Sequence, residues 1–215
     1  MKSESLKLQA YNLLKEKIIH CNYAPGSQLN EEFLQKELGM SRTPIRDALS
    51  RLEQEGLITI RPKKGITVAQ LSIKELNMIF ELRQLLECYA LENYGEMLDE
   101  NVLLSFYRQF LATETMDEEL YYTTDDAFHA MLVSTVPNLY IARSYQQITD
   151  QNTRFRILTG HRTNERLGAT SKEHLAIITA CMKRDWKQAS EAMSSHLNTS
   201  KAAAFDLLLE QNSMF

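Results

Sequence analysis

Asp125 and His129 stand four residues apart in a stretch whose apolar residues recur at helical spacing, so both side chains leave one face of one helix. That spacing lets a carboxylate and an imidazole chelate a single cation. Two further histidines, His174 and His196, fall in later helical stretches, and antiparallel neighbours could carry both opposite the Asp125/His129 pair. Three imidazoles and one carboxylate suit a divalent first-row metal such as Zn, Ni or Mn. The spacing alone leaves a second reading open, in which each histidine is simply buried and hydrogen-bonded. A different chemistry lies nearer the start of the chain. Arg42 and Arg46, also four apart, open a segment that runs helically through Leu49, Leu52 and Glu55. Pro44 sits in its first turn, where a missing N–H costs nothing. A helix N-terminus carries partial positive charge and does not itself favour arginines; a polyanionic partner does. Ser41, Arg42, Thr43 and Arg46 are the groups such a helix end would present to phosphates and base edges in a major groove of DNA.

The elements that must position these residues are legible from their flanks. Leu29 to Leu38 reads as a short helix, with Asn30 as its cap and Gly39 as its stop, so the two segments together predict a helix-turn-helix. Gly56 ends the second helix. Residues 57–61 and 66–68 are β-branched strands around Pro62-Lys63-Lys64-Gly65, a hairpin wing whose tip is basic. After Ala69-Gln70-Leu71-Ser72 the strand signals end. Ser72 and Glu75 have the spacing of a capping box, and helices are predicted over 72–95, 99–114, 117–135, 138–159, 171–183 and 185–211. Asp99, Asp117, Ser171 and Asp185 mark starts; Gly95 and Gly160 mark ends. The fold class that follows is mainly α. A winged helix-turn-helix over residues 1–70 precedes an all-α helical bundle over 71–215, an architecture that builds metal and ligand sites in its interior.

Composition agrees with a head and a body of different character. Residues 1–69 hold 11 Lys and Arg against 8 Asp and Glu, a net of +3, whereas residues 70–215 hold 13 against 20, a net of −7. A mildly basic head on an acidic body suits nucleic-acid binding in which placement and dimerisation matter more than bulk charge. No apolar run is long enough to cross a membrane, and Lys2, Glu4 and Lys7 interrupt any signal-peptide core, so a cytoplasmic protein is expected. Cys21, Cys88 and Cys181 are odd in number and scattered, and read as buried thiols.

Residues 8–69 resemble the N-terminal winged helix-turn-helix of the GntR family of bacterial transcription regulators. The resemblance is carried by Ala10-Tyr11, Ile18-Ile19, Pro25-Gly26-Ser27-Gln28-Leu29-Asn30-Glu31, Leu38-Gly39-Met40-Ser41-Arg42-Thr43-Pro44-Ile45-Arg46 and Leu52-Glu53-Gln54-Glu55-Gly56-Leu57-Ile58. The chain departs from the family at Glu32, where many members carry a basic residue. Residues 72–211 resemble the FCD domain, the helical effector-binding domain of the FadR-type subfamily. Its metal motif is present as Asp125-Asp126-Ala127-Phe128-His129, Glu173-His174 and Met193-Ser194-Ser195-His196-Leu197. The resemblance implies that Asp125, His129, His174 and His196 are the ligands, with Asp126 a neighbour and His161 a loop residue outside the motif. Six helices place the chain near the VanR-like division.

The resemblance further implies a small carboxylate effector bound at the metal. Arg83 matches a family arginine near the pocket and Asn138 a family asparagine after the first metal helix; Arg154 and Arg156 are further cationic candidates for an anion site. The expectation is a ligand-responsive regulator, a repressor, that binds a near-palindromic operator as a homodimer. Lys63, Lys64 and Gly65 of the wing join Ser41, Arg42, Thr43 and Arg46 at the DNA. A metalloenzyme or a purely structural ion using the same Asp/His set is the alternative.

Overall fold

Short polar caps set the path of the chain in the computed structural model, which describes residues 5–159 and 164–212. The first elements are α1 (Leu6–Ile19), β1 (Gln28–Leu29), α2 (Glu31–Leu38), α3 (Arg42–Gln54), β2 (Ile58–Arg61) and β3 (Gly65–Val68). Asn30 caps α2 by accepting from the Glu32 amide at 2.8 Å. Gly39 ends that helix at φ 63°, in the left-handed region where a side chain would be strained, and so turns the chain into α3. β2 and β3 pair in antiparallel register from Ile58 with Val68 to Arg61 with Gly65. β1, too short to show periodicity in the sequence, adds to the other edge of β3, giving the order β1-β3-β2.

Apolar residues from all three helices and the sheet close one core, including Leu14, Ile18, Leu34, Ile45, Leu49, Leu52, Ile66 and Val68. Each such side chain contributes about 1.5–3 kcal/mol on burial. A polar brace fixes α1 against the end of α3. The Tyr11 hydroxyl donates to both oxygens of Glu55 at 2.8 and 2.9 Å, Lys15 reaches Glu55 at 3.0 Å, and the Arg51 guanidinium lies 3.5 Å over the Tyr11 ring.

The second set of elements is α4 (Ile73–Tyr94), α5 (Glu100–Leu111), α6 (Glu118–Ser134), α7 (Leu139–Thr159), α8 (Asn164–Met182) and α9 (Trp186–Asn212), with 3-10 turns at Gly95–Met97 and Thr113–Thr115. Asp99 accepts from the Asn101 and Val102 amides, Asp117 from Leu120 and Asp185 from Gln188, each at an expected helix start. Ser171 is different. The sequence marks it as a helix start, yet α8 is already under way at Asn164, and the Ser171 hydroxyl pairs with the Thr113 hydroxyl at 2.6 Å inside the bundle. Gly160 and His161 lie outside the described residues.

Within the bundle α4 packs on α9 and α6, α9 on α8, and α8 on α5. Gly95, at the end of α4, receives the Trp186 ring so closely that a Cβ there would stand 2.3 Å from the indole. The indole N–H donates to Glu96 at 3.0 Å. The three cysteines are free thiols; Cys181 is buried, while Cys21 and Cys88 are only half-buried, not fully buried as expected. Two compact units result: Met1–Ser72 together with Thr153–Leu158, and Ile73–Asn152 together with Thr159–Phe215. No helix among the described residues is long and apolar enough to cross a membrane.

Candidate metal centre and nucleic-acid interface

Four helices of the bundle converge their polar residues on one buried point. α6 supplies Asp125 and His129, α8 supplies Glu173 and His174, α9 supplies His196, and α4 supplies Arg83 and Glu87. His129 Nε2 lies 3.2 Å from His174 Nε2 and 3.2 Å from His196 Nε2. The three imidazoles each offer a nitrogen, all within 4.8 Å of one another. Asp125 Oδ1 is 3.4 Å from His174 Nε2. All three histidines are buried.

The hydrogen bonds at the far side of two rings decide what the near side can do. His129 Nδ1 lies 2.6 Å from Glu87 Oε2, and His196 Nδ1 lies 2.8 Å from Glu173 Oε2. An ionised carboxylate only accepts, so both Nδ1 atoms must carry protons. In the neutral imidazole the Nε2 atoms then present bare lone pairs to each other at 3.2 Å, which is repulsive. A cation between them removes the repulsion. A donor set of three imidazole nitrogens and a carboxylate oxygen, with carboxylates orienting the rings from behind, is the chemistry of a first-row divalent site.

Electrostatics keep the His174 and His196 nitrogens available. Burial, then the neighbouring His196, holds the His174 imidazole well below its usual range; burial, then His129, brings His196 down to about 3. Burial alone would raise the Glu87 carboxyl, but Arg83 and then His129 outweigh it and bring it to about 2. Glu87 is the hub: Arg83 Nε donates to Oε1 at 2.7 Å and the Tyr145 hydroxyl of α7 donates to the same oxygen at 2.9 Å. Glu173 is held likewise by Arg166 at 3.2 Å. His174 has no such support. Its Nδ1 is buried without a hydrogen-bond partner, and the ring is fixed instead by Phe110 and Phe128, at centroid distances of 4.4 and 5.3 Å.

Sequence reasoning missed the roles of Glu87, Tyr145 and Arg166. The Arg83/Glu87 spacing is visible in the sequence, but the third partner of Glu87 lies 42 residues away on another helix. The effector candidates have different surroundings. Arg83 is buried beside the centre with its Nε committed to Glu87. Asn138 is exposed and caps α7, accepting from the Tyr140 and Ile141 amides at 2.9 and 3.3 Å, so its side chain is used locally. Arg154 is fully buried, groups with the N-terminal unit and donates to the Ala69 carbonyl; Arg156 groups with the same unit.

On the N-terminal unit, Arg42 and Arg46 project from the first turns of α3, their side chains 67% and 63% exposed. Ser41 precedes the helix without a capping bond of its own, and Thr43 is exposed beside it. Each guanidinium donates its Nε to one oxygen of Glu31, at 2.7 Å for Arg42 and 3.1 Å for Arg46. Lys63 and Lys64 are exposed at the wing tip, where Lys63 at φ 64° and Gly65 at φ 92° turn the hairpin. The arrangement presents a helix end and a basic loop tip as exposed cationic elements, which can contact phosphates and base edges.

The gntR family model of bacterial regulatory proteins matches residues 6–68, and the FCD domain model matches residues 78–199. The HTH-type transcriptional repressor GlaR of Escherichia coli (strain K12) is 31% identical over 204 residues, which cover 89% of this chain and 92% of GlaR. Among solved structures, E. coli McbR/YncC aligns with a TM-score of 0.78 at 22% identity, covering 94% of this chain and 98% of its own. The Zn2+-bound FCD domain of TM0439 aligns with a TM-score of 0.54 at 21% identity, covering 65% of this chain and 98% of that domain. At those identities the two structures speak for the fold alone.

Proposed function

The chain belongs to the gntR family of bacterial regulatory proteins, with an FCD domain after its winged head, and from that premise we propose that it is a cytoplasmic repressor whose operator binding is modulated by a small carboxylate at a metal site in the helical domain. It is a DNA-binding transcription regulator and not an enzyme. Asp125, His129, His174 and His196 hold a divalent ion of the Zn, Ni or Mn class. The observation that carries this reading is the meeting of His129 and His196 Nε2 at 3.2 Å while both Nδ1 atoms are tied to carboxylates. When bound, the ion supplies Lewis-acid positions to which a carboxylate oxygen can coordinate. The three histidines and Asp125 hold it, Glu87 and Glu173 orient the rings, and Phe110 and Phe128 keep water from His174.

Arg42, Thr43 and Arg46, with Ser41 before them, enter the major groove. Lys63, Lys64 and Gly65 of the wing meet the phosphate backbone. Few contacts per head favour a homodimer on a two-fold operator, in which a shift of head spacing lowers affinity. Light scattering at twice the chain mass is the expected outcome for that part.

Metal analysis tests the centre. Purified protein should carry about one divalent ion per chain and His174→Ala should carry none. At a free-ion concentration a hundred times the dissociation constant, the wild type should gain about 2.7 kcal/mol of stability that the variant lacks. Effector response should vanish with the metal while DNA binding persists. Loss of metal with the response intact would make the ion structural; absence of stoichiometric metal would overturn the site.

A further inference from the structure

We infer that Glu31 is a specificity-determining residue, which ties Arg42 and Arg46 into one unit and lowers the charge that this helix end offers to DNA of any sequence. The inference rests on the reading that α3 meets the operator. Glu31 stands in the first turn of α2, behind the Asn30 cap, with only 21% of its side chain exposed. Its two oxygens are divided between the two arginines, Oε2 accepting from Arg42 Nε at 2.7 Å and Oε1 from Arg46 Nε at 3.1 Å. Glu31 needs no arginine to be favourable there, since the N-terminus of α2 already attracts a carboxylate. Exposed ion pairs add little to stability. A carboxylate that bridges the two arginines of a DNA-reading helix therefore calls for a reason at the DNA.

The geometry supplies one. An arginine has five N–H donors, and the bridge takes only Nε from each, leaving the Nη edge of both forks for end-on contact with O6 and N7 of guanine. A fork already held in place loses less rotamer freedom when the right base arrives. A phosphate rewards bare charge instead, and it does so on every sequence through counterion release. With Glu31 present the trio carries +1 where the two arginines alone would carry +2. The carboxylate thus weakens complexes made mainly with the backbone more than those made with bases, which is discrimination by penalising the wrong partner.

The test uses the full chain and two duplexes of equal length and composition, one enriched from random sequence by the wild-type protein and one shuffled. Glu31→Gln should bind the shuffled duplex more tightly, with its log K against log salt slope steeper by about one unit. The ratio of the two affinities should fall about tenfold. Glu31→Asp keeps the charge but is one methylene short for the bridge, so its ratio should fall with the slope unchanged. Glu32→Gln removes the same charge from the exposed neighbouring position and should leave the ratio at the wild-type value. A wild-type ratio in both Glu31 variants, or an equal fall in Glu32→Gln, overturns the proposal. Arg46→Ala separates this from failure of the underlying reading: if that variant binds the enriched duplex as the wild type does, α3 is not the recognition element.

Discussion

Two arginine–glutamate pairs in this molecule have the same length and opposite consequences. Arg83 meets Glu87 at 2.7 Å with side chains 7% and 0% exposed; Arg42 meets Glu31 at 2.7 Å with side chains 67% and 21% exposed. Distance alone does not say what an ion pair is for. The buried pair lies where water cannot replace either partner, so its geometry is fixed and it serves as a mounting for His129. The exposed pair sits where solvent, salt or a phosphate can compete, so it can yield to another partner. On the proposed reading the first pair belongs to a site that must hold still, the second to a surface that must exchange contacts.

Removing the hub of the buried pair is the strongest way to break that contrast. Glu87→Gln leaves the Arg83 charge buried without its counter-ion and should cost about 3–5 kcal/mol of stability, measured by denaturant unfolding of chelated protein. In the metal-loaded protein it should also weaken ion affinity by about 10–100-fold through loss of His129 orientation. A Glu87→Gln protein with wild-type stability and metal affinity would mean that burial does not separate the two pairs.

The exposed side is sharpened by DNA titration. Arg46→Ala should lose about 1–3 kcal/mol of affinity for the preferred sequence and relax preference at one base position. Lys63→Ala should weaken binding to every duplex alike and lower the salt slope by about one unit, a smaller effect that marks a phosphate contact. The smallest effect completes the comparison. Glu31→Gln should change folding stability by no more than about 1 kcal/mol, although it removes a contact as short as the buried one. A loss as large as that of Glu87→Gln would erase the distinction.

The head was legible in the sequence because its signals are local. Asn30, Gly39, Pro44 and Gly56 each act within one turn of themselves, and the wing is announced by β-branched residues around a basic turn. β1 was not legible, since two residues carry no alternation. In the bundle, Asp125 and His129 declare themselves by sharing a helix face, and the antiparallel packing that brings in His174 and His196 follows from helices joined by short loops. The groups behind the histidines are another matter. Glu87 acquires its role from packing that sets α4 against α6 and α7, and a mid-helix glutamate looks the same in sequence whether it faces solvent or an imidazole. Asn138 likewise gives no sign in the sequence of its local hydrogen bonds, in which its side-chain oxygen accepts from the Tyr140 and Ile141 amides at a helix start.

The close seat of Trp186 on Gly95 has an optical consequence. The chain contains a single tryptophan, so intrinsic emission excited at the indole band has one source, and that source is the junction between the end of α4 and the start of α9. The fluorophore is half-buried and tethered to Glu96, which makes its colour and anisotropy a gauge of that junction without any label. Because Glu87 stands two turns earlier on the same helix, a change at the imidazole cluster that shifts the end of α4 should register in the emission of this one indole.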